Sequence, residues 1–159
     1  MKLISLLLLC VVALGARAQE PVTLRLTKTI PLPDVKGRFD HFAIDVQGRR
    51  LFLAALGNNT LEVVDIAVGK RLHSIPGLQK PTGVMLLPAS NQFGVASGDD
   101  GTFRFYDSSS YVLATTLGSV DDADNVRVDP QSNLIYLGYG AGALGVIDPV
   151  TMKQTGSIK

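Results

Sequence analysis

The sequence predicts an all-β chain built as a partial β-propeller, with about three four-stranded antiparallel blades. Three observations lead there. Beyond residue 18, short runs of β-branched and aromatic residues alternate with Gly, Asn, Asp, Ser and Pro, and no stretch carries a helical period. The chain is self-similar at a step of 42 residues, from Phe39 to Pro81 to Ala123. Each repeat holds four strand-like runs, and four strands in about 40 to 45 residues is the footprint of one propeller blade.

Taken in order, residues 1–18 have the make-up of a secretory signal. Lys2 supplies the charged start, Leu3 to Leu14 the apolar core and Ala16-Arg17-Ala18 the small-x-small cleavage site. That core is about a dozen residues, short of the roughly 20 that span a membrane. Cys10 lacks the small preceding residue of a lipobox, since Leu9 stands there. Cleavage after Ala18 removes Lys2 and Arg17 from the 15 basic side chains, leaving 13 against 14 acidic ones. No basic footprint for nucleic acid remains. The only cysteine is also lost, so stability has to come from core and sheet rather than from disulfides. The expected location is the periplasm or the cell exterior, with no membrane span in the mature chain.

Residues 19–38 follow, and VTLRLTKTIPLP at 22–33 has the texture of a fourth strand without its blade, suited to completing the last blade of a closed ring. Blade 1 covers 39–80, with strands expected at His41–Val46, Leu51–Ala55, Leu61–Ile66 and Arg71–Pro76. Its turns, Gln47-Gly48, Gly57-Asn58-Asn59 and Val68-Gly69-Lys70, offer residues that tolerate positive φ. Blade 2 covers 81–122 and blade 3 covers 123–159. Asp65 and Asp107 close the third runs of the first two units, and Asp148 follows 41 residues later, so the third copy is one residue shorter between its second and third runs. Three blades fall below the 4 to 8 that close a ring. The expectation is therefore a fragment of a longer propeller, or a half-ring completed by self-association.

The units resemble the YVTN-type β-propeller repeats of exported bacterial proteins, the YncE-like family. Arg50-Leu51-Phe52-Leu53-Ala54-Ala55, Thr60-Leu61-Glu62-Val63-Val64-Asp65-Ile66-Ala67-Val68-Gly69-Lys70 and Pro81-Thr82-Gly83-Val84 carry the likeness, which runs over nearly all of 22–159. The letters Y-V-T-N are themselves replaced in all three slots, beginning at Phe52, Gly94 and Tyr136. A WD40 reading fits less well, as the chain has no Trp. The resemblance implies the blade architecture, and proteins of this fold include ligand and partner binders. Proteins of the wider fold also include lactonases and heavy subunits of amine dehydrogenases, and fold alone does not choose among them.

One literal motif competes with the repeat. Gly140-Ala141-Gly142-Ala143-Leu144-Gly145 matches G-x-G-x-x-G, yet a dinucleotide loop should open a helix and be followed about 20 residues on by an acidic residue. Here a strand is expected at 143–148, and the register puts the glycines, counted as Gly138 to Leu144, in the hairpin between the second and third strands. Positive φ in a short turn explains them.

The segment entering each first strand is the expected rim of the central channel. The register aligns Asp40-His41, Thr82-Gly83 and Asp124-Asn125. Asp40, His41, Thr82, Asp124 and Asn125 are the candidate ligand-binding residues. Carboxylate, imidazole and amide together suit a small polar ligand or a metal, while the same side chains also cap strand entrances. The second role has more in its favour, so no metal and no cofactor is assigned. Asp121-Asp122-Ala123-Asp124-Asn125 lacks the Gly and distal Glu of an EF-hand. Gly98-Asp99-Asp100-Gly101 is hairpin chemistry. His73 falls on an outer strand, Ser108-Ser109-Ser110 has no G-x-S-x-G elbow around it, and Asn58-Asn59-Thr60 fits a glycosylation sequon. No catalytic residue emerges. The leading expectation is an exported propeller module that binds a small ligand or a protein partner. The alternatives are an enzyme on the same fold, either lactonase-like or resembling an amine dehydrogenase heavy chain, and a truncated fragment without function.

Overall fold

The computed structural model describes residues 24–159, so the signal segment at 1–18 lies outside the described residues. Twelve strands form three separate four-stranded antiparallel sheets, each a meander in chain order. Blade 1 contains β1 (Phe42–Asp45), β2 (Arg50–Ala55), β3 (Thr60–Asp65) and β4 (Lys70–Ile75). Blade 2 contains β5 (Pro81–Leu87), β6 (Gln92–Ser97), β7 (Thr102–Asp107) and β8 (Leu113–Leu117). Blade 3 contains β9 (Val126–Val128), β10 (Ile135–Tyr139), β11 (Ala143–Asp148) and β12 (Lys153–Ile158). This is the partial propeller expected, and the blade 1 strands fall within a residue or so of their expected bounds. No helix among the described residues is long and apolar enough to cross a membrane.

Strand alternation explains how the sheets stack. In blade 1, Phe52 and Ala54 on β2 share a face with Leu61 and Val63 on β3, and all four pack on Phe93, Val95 and Tyr106 of blade 2. The opposite face of blade 2 presents Ala96, Phe103 and Phe105 to Ile135, Leu137 and Ile147 of blade 3. Aromatic rings concentrate at the first junction: Phe52 and Phe93 are 4.8 Å apart, and Phe93 stacks on Tyr106 at 5.2 Å. Blade 2 is thus buried on both faces. Its first strand, β5, is the longest of the three first strands and is flanked by β1 and β9.

The turns between β3 and β4, β7 and β8, and β11 and β12 share one device. The Asp65 carboxylate accepts the N–H groups of Ala67 and Val68, Asp107 those of Ser109 and Ser110, and Asp148 that of Val150. In the hairpins of blade 1 the positive φ falls on Arg49 (54°), Asn59 (58°) and Gly69 (78°). The first of these corrects the expectation of Gln47-Gly48.

Two further expectations change. Gly138 is a strand residue of β10 opposite Leu144, and the shortened hairpin comprises only 140–142, where Gly140 and Gly142 have φ of 56° and 104°. Gly145 lies in β11, so the G-x-G-x-x-G match straddles a turn and a strand. The segment at 22–33 is not a strand where it is described, from residue 24 on. Pro31 and Pro33 cannot donate to a ladder. The segment instead lies over the face of blade 1 that points away from blade 2. Lys28 Nζ donates to the Ala67 carbonyl at 3.1 Å, the Lys36 N–H donates to Asn58 Oδ1 at 3.1 Å, and the Gly57 N–H donates to the Arg38 carbonyl at 3.0 Å.

Candidate functional site

At the strand-entry end, the three aligned positions have different environments. In blade 1, the Asp40 N–H donates to the Ala54 carbonyl at 2.9 Å and the Ala54 N–H donates to the His41 carbonyl at 3.0 Å, extending the β1–β2 ladder by one step. The Asp40 carboxylate lies 3.6 Å from Arg38 and 2.9 Å from His41 Nδ1. The imidazole nitrogen is shielded from solvent and lies off the line that a hydrogen bond needs.

In blade 2, Thr82 is buried and its Oγ1 donates to the Ala123 carbonyl at 2.7 Å, with the Ala96 carbonyl at 3.3 Å. Gly83 fits only as glycine, since a Cβ there would come within 2.1 Å of the Asp124 carbonyl oxygen. The blade 3 entrance therefore seals the blade 2 entrance. The Thr82 hydroxyl is engaged between blades.

In blade 3, the Asp124 N–H donates to the Gly138 carbonyl at 3.0 Å and the Gly138 N–H donates to the Asn125 carbonyl at 2.8 Å. Both side chains are exposed, and Asn125 Oδ1 accepts from Arg127. Asp122, Asp124, Asn125, Tyr139 and Gly140 wall a cavity of about 310 Å³ that opens to solvent. The Tyr139 phenol beside it bonds with Ser157 at 3.0 Å and receives the Gln154 amide at 3.2 Å, and these contacts hold its pKa below the usual tyrosine value. Asp40 and His41 are not among the cavity walls. Among the described residues, no three His, Cys, Asp or Glu side chains stand close enough to hold a metal ion.

The other singled-out residues have structural partners. Ser109 and Ser110 are tied to Asp107, with the Ser110 hydroxyl 2.8 Å from the carboxylate. His73 stacks on Tyr111 at 4.7 Å. Asn58 donates to Thr60 Oγ1 at 3.0 Å. Two charged residues escaped the sequence reading. Glu62 is completely buried on β3, where its carboxylate accepts the hydroxyls of Thr60 at 2.6 Å and Ser74 at 2.8 Å and the Arg71 guanidinium at 3.4 Å. Arg50 on β2 bonds Asp45 at 2.8 Å and the Ser108 carbonyl of blade 2. Arg50 shares the apolar Phe52 face, where a charge is a readable signal, whereas Glu62 alternates with Leu61 and Val63 as an exposed residue would and offers none.

No family model and no curated protein sequence matches the chain. Among solved structures it is similar to the hydrazine synthase of Kuenenia stuttgartiensis, with a TM-score of 0.70 and 17% identity over 84% of this chain. The chain spans 38% of that protein's length. At this identity the likeness shows the fold, namely stacked four-stranded antiparallel sheets.

Proposed function

We propose that the chain belongs to an exported propeller of YVTN type that binds rather than catalyses, with a small polar ligand or a protein partner held at the strand-entry end. One observation carries this reading. Asp124 and Asn125 keep exposed side chains beside Asp122 around a cavity of about 310 Å³, while the aligned Thr82 is consumed in holding two blades together. The two carboxylates, beside an Asn125 amide oxygen already engaged by Arg127, favour a ligand that presents hydrogen-bond donors, such as a polyol, an amine or a hydrated cation. Asp40 and His41 form a second, smaller polar point on blade 1.

Self-association to complete the ring is part of the same reading. Leu144 on the far face of blade 3 is 44% exposed, whereas its register equivalent Leu61 is 0% exposed against the next blade. The signal-like start supports export to the periplasm or beyond.

The test is a thermal-shift titration of the mature chain with divalent cations, polyols and small amines. A saturable rise in melting temperature is expected with at least one class, lost in Asp124→Ala with Asn125→Ala and kept in Asp40→Ala. A rise that survives the double substitution would place binding elsewhere and defeat the assignment.

A further inference from the structure

The strongest unassigned feature lies at the opposite end of the blades, where the same inter-blade space occurs twice with different contents. At the junction of blades 1 and 2 it is filled from within. The Arg50 side chain crosses it, anchored by Asp45 through Nε at 3.1 Å and Nη2 at 2.8 Å, with Nη1 donating to the Ser108 carbonyl at 2.5 Å. Its guanidinium sits 5.2 Å from the centre of the Phe52 ring. The space left over is about 210 Å³.

One blade on, the register substitutes Leu87, Ala89 and Gln92 for Asp45, Gln47 and Arg50, and the cavity grows to about 510 Å³. Pro149 replaces Ser108 as the turn residue across the gap, and Met152 replaces Tyr111, with the same left-handed backbone (φ 54° and 60°). The walls are mainly apolar, with Ser90, Gln92 and Asn133 as the polar points. That volume and that mix are those of a small-molecule site.

We infer that this cavity binds a small neutral molecule with an apolar body and one hydrogen-bond donor, of the phenol or aromatic-amide class, in the space that the Arg50 side chain takes at the preceding junction. The chemistry follows from the replaced side chain. The Arg50 stem is apolar and its tip donates to a turn carbonyl, so a ligand donor has the Pro149 carbonyl as its counterpart. The compensating carboxylate is absent, because Leu87 stands in place of Asp45. A cation there would be desolvated without a partner, so the site discriminates in favour of a neutral donor. The cavity is separate from the strand-entry site, and neither proposal depends on the other.

The experiment uses the full mature chain and 4-propylphenol as the probe, with binding followed by ligand-observed NMR. Saturable binding is expected, with 1-propylguanidinium at least about fivefold weaker, a gap of roughly 1 kcal/mol. Gln92→Arg restores the plug and should weaken 4-propylphenol at least about tenfold. Val150→Asp, on an exposed turn at the mouth, should weaken it as well without touching the sheet core, and it decides the matter if Gln92→Arg does not fold. Absence of saturable binding to the wild type, a preference for the guanidinium, or undiminished binding in a folded variant would each overturn the inference.

Discussion

The Thr82 hydroxyl donates to the Ala123 main-chain carbonyl at 2.7 Å, so one buried side chain on the innermost strand of blade 2 fastens the entrance of blade 3. The residue that sequence alignment grouped with rim ligands is thus an inter-blade staple.

Replacing Thr82 by Val keeps the shape and deletes the donor, leaving the Ala123 carbonyl without that bond. The expected cost is about 1–2 kcal/mol, read as a lower urea midpoint with an unchanged slope. Thr82→Ser, which keeps the hydroxyl, should recover most of it. An undiminished midpoint in Thr82→Val beside a loss in Thr82→Ser would show that the methyl, not the hydroxyl, matters.

Glu62 should respond in the same assay. Glu62→Ala abandons the Thr60 and Ser74 hydroxyls and the Arg71 guanidinium beneath the covering segment. A loss of about 2–3 kcal/mol is expected, held below the fully buried case because Arg71 remains one-third exposed. Glu62→Gln, retaining one acceptor oxygen, should cost less.

The turn aspartates set an acid limit. Asp107 is held below its ordinary pKa of 3.8 first by the Ser110 N–H and then by the Ser110 hydroxyl. Asp65 is held down first by the Val68 N–H, Asp129 by the Ser132 hydroxyl and Asp148 by the Val150 N–H. A carboxyl group whose folded pKa is depressed adds stability that is complete above its unfolded value and fades as pH falls through the folded one. The urea midpoint should therefore be flat above about pH 5 and decline below the ordinary value of 3.8, with a shallower decline in a variant carrying Asn at 65, 107, 129 and 148. Identical acid limbs would remove these turns as the cause.

The covering segment can be loosened selectively. A Cβ on Gly57 would meet Gly37 Cα at 2.7 Å and the Arg38 nitrogen at 2.8 Å, backbone atoms that cannot yield locally. Gly57→Ala should cost about 1–3 kcal/mol at that contact. It should also speed tryptic cleavage at Lys36 and Arg38 well before the blades are cut. Unaltered cleavage kinetics would mean that other contacts hold the segment.

The blade architecture was legible because its signals are local. Alternation along Leu51 to Ala55, a 42-residue step and Asp at the end of each third strand follow from strand geometry and turn chemistry, which each repeat expresses on its own. The rim was less legible. Asp40-His41, Thr82-Gly83 and Asp124-Asn125 align in register, yet register does not reveal whether a neighbouring blade covers the position. Glu62 and Arg50 were overlooked for the same reason, since their partners Ser74, Arg71 and Ser108 lie on other strands or another blade.

By itself the sequence determined an all-β chain of repeated four-stranded units, the third with a hairpin shortened by one residue, because backbone periodicity and turn residues are written position by position. Tertiary structure alone decided that residues 28–38 lie over the outer face of blade 1, that Thr82 is spent between blades, and that the space beside Gln92 is open where Arg50 fills its counterpart. Those outcomes depend on which side chains meet across a junction, and a junction brings together residues some 40 to 60 positions apart whose complementarity no single repeat contains.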